Sequence, residues 1–180
     1  MHPRVAVTIK KKIEKYIVAS FIIPIDYSPW IYNIVCTTKP NGEIICCTNF
    51  RDMNKVCPKH VFPLPSIDMI IDSITCHEIL SFMDGFFSYN QIRIKKEDQH
   101  KLTFVTPWGK FCWVVMPFGL KNAGVTYQRA MVSMFHDMIH DSVEVHVDEI
   151  LAKSITKYDH ISNLRNIFQR MREYKLKLKP

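Results

Sequence analysis

Hydrophobic positions along the chain recur with two different periods. In "TIKKKIEKYIVAS" Ile9, Ile13, Tyr16 and Ile17 follow helical spacing, which predicts a short amphipathic helix over residues 8–20. "FIIPIDYSPWIYNIVCTTKPNGEIICCTNFRDMNK" instead reads as two extended stretches around a turn at Pro40-Asn41-Gly42. After the proline-rich "CPKHVFPLP", Ser66 is placed to cap a helix carrying Ile67, Ile70, Ile71 and Ile74 on one face. "HEILSFMDGFFSYNQIRI" predicts a strand ending at Asp84 with a turn at Gly85. "KLTFVTPWGKFCWVVMPFGL" predicts a hairpin turning near Trp108-Gly109.

A long helix is predicted from Asn122 to about Asp141, then a hairpin at "VEVHVDEILAKS". A last amphipathic helix spans Lys157 to Tyr174 on Ile161, Leu164, Ile167, Phe168 and Met171. Hairpins and helices mixed without regular βαβ alternation indicate the α+β class. There are no internal repeats or low-complexity segments.

The 180 residues are enough for one domain, or two small lobes sharing a core, and 47% hydrophobic with 23% charged residues exclude a disordered chain. The net charge of +7 changes the picture more, because it points to a polyanionic partner such as nucleic acid. The six cysteines form no CxxC pair. Cys57 with His60, or Cys76 with His77, is poorly spaced for zinc, so reduced core thiols are the simpler reading. No signal-peptide pattern and no apolar run of about 18 residues is present, so no membrane partner is expected and the protein should be soluble and intracellular, or the segment was cut from something longer.

Candidate chemistry lies in the acids. Along 143–148 the valines Val143, Val145 and Val147 point to one side, and Glu144, His146 and Asp148 to the other. The Asp148-Glu149 pair then falls at the hairpin tip. Burying carboxylates is costly, so the tip either faces water or holds a cation. Asp84 is a second acid where a strand meets a turn. Strand-end acids from distant segments suit a hard cation, which takes one or two carboxylates plus substrate phosphates.

"FPLPSIDMIIDSI", "LSFMDGFFSYNQIRI", "VMPFGLKNAGVTYQRAM" and "VEVHVDEI", in this order, resemble the reverse transcriptase domain of gypsy-class LTR retrotransposons, particularly plant elements, from about Lys11 to Pro180. The resemblance implies a right-hand polymerase, with fingers from residues 1 to about 60 and about 92 to 121, and palm from about 61–91 and 122–180. It implies an RNA-directed DNA polymerase, a nucleotidyltransferase moving a nucleotidyl group from a dNTP to a primer 3′-end on an RNA or DNA template. Two Mg²⁺ ions, replaceable by Mn²⁺, would be held by Asp84, Asp148 and Glu149. Tyr89 matches the aromatic gate that excludes a ribose 2′-hydroxyl. Phe118 and Gly119 match a pair lining the nucleotide pocket, and Lys39 matches a lysine reaching triphosphate oxygens. Gln128 and Arg129 open the following helix face, where solvated surface is an equal reading. Alternating lysines in "YKLKLK" could follow a phosphate backbone or be ordinary solvated charge.

Four departures bear on activity. "YVDD" reads "HVDE", and the extra methylene of Glu149 moves its carboxylate by about an ångström, a misplacement able to cost about 10²-fold in rate. His146 replaces a tyrosine. Ile45 stands where an arginine grips the triphosphate, a charged hydrogen bond contributing about 1.5–3 kcal/mol, and Asn49 replaces an acid. Ser88 replaces a glycine, with strain expected in the turn before Tyr89. The chain ends at "LKLKP", before the thumb and RNase H regions, which predicts low primer–template affinity. The expectation is therefore impaired activity, with a catalytically inactive nucleic-acid-binding remnant as the alternative. Oligomeric state, and residence in a cytoplasmic particle or the nucleus, stay open.

Overall fold

The structure is a computed structural model that describes residues 3–38, 44–63 and 65–179. It divides into two compact units, Met1–Pro58 with Ile92–Ala123, and Lys59–Gln91 with Gly124–Pro180. Helices and mainly antiparallel sheets make each of them, as the α+β reading expects.

In the first unit, helix α1 (Pro3–Val18) begins earlier than the hydrophobic spacing suggests, and Ile9 and Ile13 face the core. Strands β1 (Ile22–Pro24), β2 (Tyr32–Thr38) and β3 (Ile44–Thr48) follow, then the short helix α2 (Arg51–Val56). After the second unit's first segment come α4 (Lys96–Gln99), β5 (Thr103–Thr106) and β6 (Gly109–Trp113). The sheet order is β1-β6-β5-β2-β3. β2 and β3 pair as predicted, antiparallel from Ile34 opposite Thr48 to Thr38 opposite Ile44, and Lys39 lies outside the described residues. Phe50, Phe104 and Trp113 close the core. The Trp113 indole N–H donates to Thr48 Oγ1 at 3.1 Å, which removes the cost of burying that donor.

The second unit carries α3 (Ile67–Ile74), β4 (Ile79–Asp84), α5 (Ala123–Met134), β7 (Val143–His146), β8 (Glu149–Ser154) and α6 (Lys157–Glu173), with sheet order β4-β8-β7. Ser66 caps α3 by accepting from the Met69 amide at 3.3 Å, as its position predicts. The isoleucine face of α3 is open to solvent, however. No residue of the helix is buried, and Ile67 is 66% exposed. α5 ends at Met134 rather than near Asp141. The Phe135 carbonyl accepts from both Met138 and Ile139, and the chain turns through His140 at φ 70° before entering β7. On α6 only part of the expected stripe is inside, since Ile167 and Met171 are buried while Ile161 is exposed.

The sheet separates its chemistry by face, as strand alternation requires. Val143, Val145, Ile150 and Ala152 are buried together. On the opposite face Lys153 Nζ reaches Glu144 Oε1 at 2.9 Å and the Ser73 carbonyl of α3 at 2.9 Å. Lys153 is 1% exposed, so this ion pair ties α3 to the sheet in a setting where losing either partner leaves a stranded charge.

Candidate active site

Register decides where the acids stand. β4 and β8 pair antiparallel from Ile79 opposite Ser154 to Asp84 opposite Glu149. β7 and β8 pair up to His146 opposite Glu149. The hairpin turn is therefore Val147-Asp148, and Glu149 is the first residue of β8 rather than part of the tip. Alternation holds as far as His146 and breaks at Val147, whose φ is 54°. For a β-branched residue the left-handed region is an outlier costing about 1–2 kcal/mol, so something must hold it there.

Gln128 does so. It lies in α5, is 1% exposed, and uses both ends of its amide on the hairpin. The Val147 N–H donates to Gln128 Oε1 at 2.6 Å, and Gln128 Nε2 donates to the Val145 carbonyl at 2.9 Å. Of the two equal readings of Gln128, solvated surface is excluded, because its buried side chain fixes the turn that carries Asp148.

Around the acids lies an aromatic floor. Tyr89 sits in a short 3₁₀ turn (Ser88–Gln91) and meets Tyr127 of α5 edge to face, with ring centroids 5.6 Å apart. Burial raises the Tyr89 pKa, and the charge of Asp148 raises it further. The Tyr127 phenol is pushed up to about 12, first by burial and then by Asp148 and Asp84, so both carboxylates act on one hydroxyl. Tyr127 is 0% exposed and its hydroxyl has no hydrogen-bond partner among the described residues. Gly85 is needed beside it, since a Cβ there would stand 2.9 Å from that oxygen. Ser88 is not the strained residue of this turn. Its hydroxyl is buried and donates to the Gly85 carbonyl at 3.1 Å, while Phe87 takes the left-handed conformation at φ 50°. His146 presents a buried Nδ1 without a partner among the described residues.

The chain's last residues run along the Asp84 strand end. The Lys179 amide donates to the Asp84 carbonyl at 2.9 Å, and Leu178 pairs with Gly85. Gln91 holds this segment by accepting from the Lys177 amide at 2.7 Å and donating to its carbonyl at 2.9 Å. The Lys179 ammonium stands 3.7 Å from Asp84 Oδ2, so the alternating lysines lie against an acid as well as solvent.

The register brings the predicted acids to one end of the sheet. Asp84 and Glu149 offer carboxylate oxygens in sheet register beside the Asp148 turn, all at least partly solvent-accessible, and a lysine ammonium already stands in as a cation at Asp84. Among the described residues no group of three or more His, Cys, Asp or Glu side chains is placed to hold a metal ion, Asp84, Asp148 and Glu149 included.

Phe118 and Gly119 belong to the first unit. Phe118 is half-exposed, and Gly119 has φ 95°, a conformation for which glycine is suited. Asn54 of α2 pins this turn by donating to the Gly119 carbonyl at 2.7 Å and accepting from the Lys121 amide at 2.8 Å. Asn49 accepts from Arg51 Nε at 3.0 Å. Ile45 lies in β3 opposite Thr37.

Residues 38–180 match the family model described as reverse transcriptase (RNA-dependent DNA polymerase). The chain is 26% identical over 143 residues to the Transposon Tf2-3 and Tf2-7 polyproteins of Schizosaccharomyces pombe, covering 79% of this chain and 11% of each polyprotein. It thus spans about a ninth of the length of these curated relatives. Among solved structures, the native prototype foamy virus protease-reverse transcriptase superposes with a TM-score of 0.86 at 18% identity, over 99% of this chain and 24% of that one. The foamy viral enzyme in complex with an RNA/DNA hybrid gives 0.84 at 17% identity, over 99% and 24%. The likeness extends to the fingers-and-palm fold. The chain belongs to the reverse transcriptase family of nucleotidyltransferases, sharing its domain with retrotransposon polyproteins.

Proposed function

We propose that this chain is the fingers and palm of a gypsy-class, plant-type LTR retrotransposon reverse transcriptase that extends a primer 3′-end with dNTPs on an RNA or DNA template. The observation that carries this reading is the register placing Asp84 directly opposite Glu149, with Asp148 in the adjoining turn. Fingers would be residues 1–60 and 92–121, and palm 61–91 and 122–180. Asp84, Asp148 and Glu149 would hold two Mg²⁺ ions, which activate the primer oxygen and stabilise the leaving pyrophosphate. Tyr89, braced by Tyr127, would lie under the incoming sugar and refuse a 2′-hydroxyl. Phe118 and Gly119 would line the nucleotide pocket, and Lys39 would reach the triphosphate. Glu149 and Ile45 in place of an aspartate and an arginine would slow this chemistry.

The test is primer extension with Mg²⁺ on wild type, on Asp148→Asn, and on the double variant Ile45→Arg with Glu149→Asp. Slow extension that Asp148→Asn abolishes and the double variant accelerates supports the reading. Extension indifferent to Asp148→Asn removes the assigned role. Salt-sensitive primer–template binding without incorporation, even in the double variant, leaves a nucleic-acid-binding remnant.

A further inference from the structure

The cysteines of the first unit have no part in the chemistry above. Cys36 of β2 and Cys46 of β3 are direct Cα partners, so their side chains leave the hairpin on the same face. Directly opposed residues of an antiparallel pair have Cα atoms about 4.5–5.5 Å apart, inside the span of about 4.4–6.8 Å that a disulfide bridges. Their Sγ atoms stand 2.7 Å apart. Both are half-buried against the core, whereas Cys47, the next residue, projects to the other face and is exposed. Reduced core thiols explain their burial but not why two of the six meet across one register position.

We propose that Cys36 and Cys46 are a reversible oxidation site, closed to a cross-strand disulfide by exchange with a small-molecule disulfide. Cys46 is not the first sulfur to react, because burial and then Cys36 push its thiol up to about 12. The thiolate of Cys36 attacks one sulfur of the oxidant, forming a mixed disulfide and releasing one thiolate, which takes up a proton. Cys46 then attacks Cys36 Sγ. Its proton passes to the second departing thiolate, so two cysteines are oxidised and one external disulfide is reduced to two thiols. Lys12, whose Nζ donates to the Ile44 carbonyl, lies where its charge favours the Cys46 thiolate in this second step. The product would staple β2 to β3 at this register position.

The experiment uses the full chain and oxidised glutathione, followed by acid quenching, non-reducing digestion and mass spectrometry. The expected product is a Cys36–Cys46 linked peptide, from a chain lighter by two hydrogens, restored by dithiothreitol. Cys47→Ser should keep the link. Cys36→Ser should lose it, with Cys46 recovered as thiol or glutathione adduct. The oxidised wild type should melt about 5 °C higher than the reduced form, a shift absent in Cys46→Ser. Recovery of Cys36 and Cys46 only as separate thiols or glutathione adducts, or a link joining Cys47 instead, overturns the proposal.

Discussion

Replacing Gln128 by methionine should loosen the turn under Asp148 while leaving the volume of α5 nearly unchanged. The change removes a donor to the Val145 carbonyl and an acceptor for the Val147 amide. Two hydrogen bonds contribute about 1 kcal/mol each net, and a buried backbone N–H left unpaired costs about 1–3 kcal/mol, so the hairpin should lose about 2–4 kcal/mol. Relaxation of Val147 out of its left-handed conformation, at φ 54°, would return part of that. At 1.36 kcal/mol per decade, amide exchange in the 143–151 segment should quicken by roughly 30- to 1,000-fold. Hydrogen exchange read by mass spectrometry on that segment, with urea unfolding beside it, gives the measurement. Gln128→Glu supplies a sharper control. As a carboxylate it cannot donate to Val145, but a protonated carboxyl can donate there and accept from Val147. Burial raises a carboxyl pKa, so protection in this variant should return as pH falls through that raised value, while Gln128→Met stays loose at every pH. If Gln128→Met exchanges within about threefold of wild type, Gln128 does not hold the turn and the reasoning fails.

Tyr127→Phe deletes a buried hydroxyl with no partner among the described residues, so stability should be unchanged or rise by about 1 kcal/mol; a loss of that size in urea unfolding would show that the oxygen is satisfied. Lys153→Met should destabilise by about 3–5 kcal/mol by stranding Glu144, and adding Glu144→Leu should recover most of it in thermal melts. Paired oxygens of Asp137 accept from Arg170 Nη1 and Nη2 at 2.6 and 2.7 Å, holding its pKa well below the ordinary carboxylate value. The resulting stability is present above the unfolded pKa of about 3.9 and is lost as pH falls toward the depressed value, so Asp137→Asn should flatten the acid side of the melting-temperature profile below about pH 4.

Strand placement was legible because period-two alternation carries its own phase. β4 ends at Asp84, and the β2–β3 pair brackets Pro40-Asn41-Gly42, both as the sequence implies. Helix ends were less legible. No glycine or proline stands between Met134 and Val143, and the apolar run through Phe135, Met138 and Ile139 keeps suggesting helix after the backbone has left it. The exposed face of α3 shows the reverse failure, since an apolar stripe predicts a helix without specifying what covers it. Gln128 stays open between a working helix face and solvated surface on polarity alone, although a signal exists. It precedes the buried Met131 by three positions and Phe135 by seven, so the period places it on the inner face of α5, where a polar side chain must find backbone partners.

The adjacent acids are the instructive case. From sequence alone Asp148 and Glu149 are equivalent tip residues, and a two-residue turn could close at either 147–148 or 148–149. Closing at 148–149 would instead pair Val147 with Ile150 and Val145 with Ala152, a shift of two residues that keeps every β8 side chain on its face. Facing does not separate the two turns; the Gln128 bonds to the Val145 carbonyl and the Val147 amide favour 147–148, with a valine in the left-handed region. The two acids consequently have different mechanical support. Asp148 is held through a strained turn that depends on Gln128, whereas Glu149 is held by ladder pairing to both His146 and Asp84. Loosening the turn should displace Asp148 alone, so substitutions at Gln128 and at Glu149 disturb the acid cluster by separate routes.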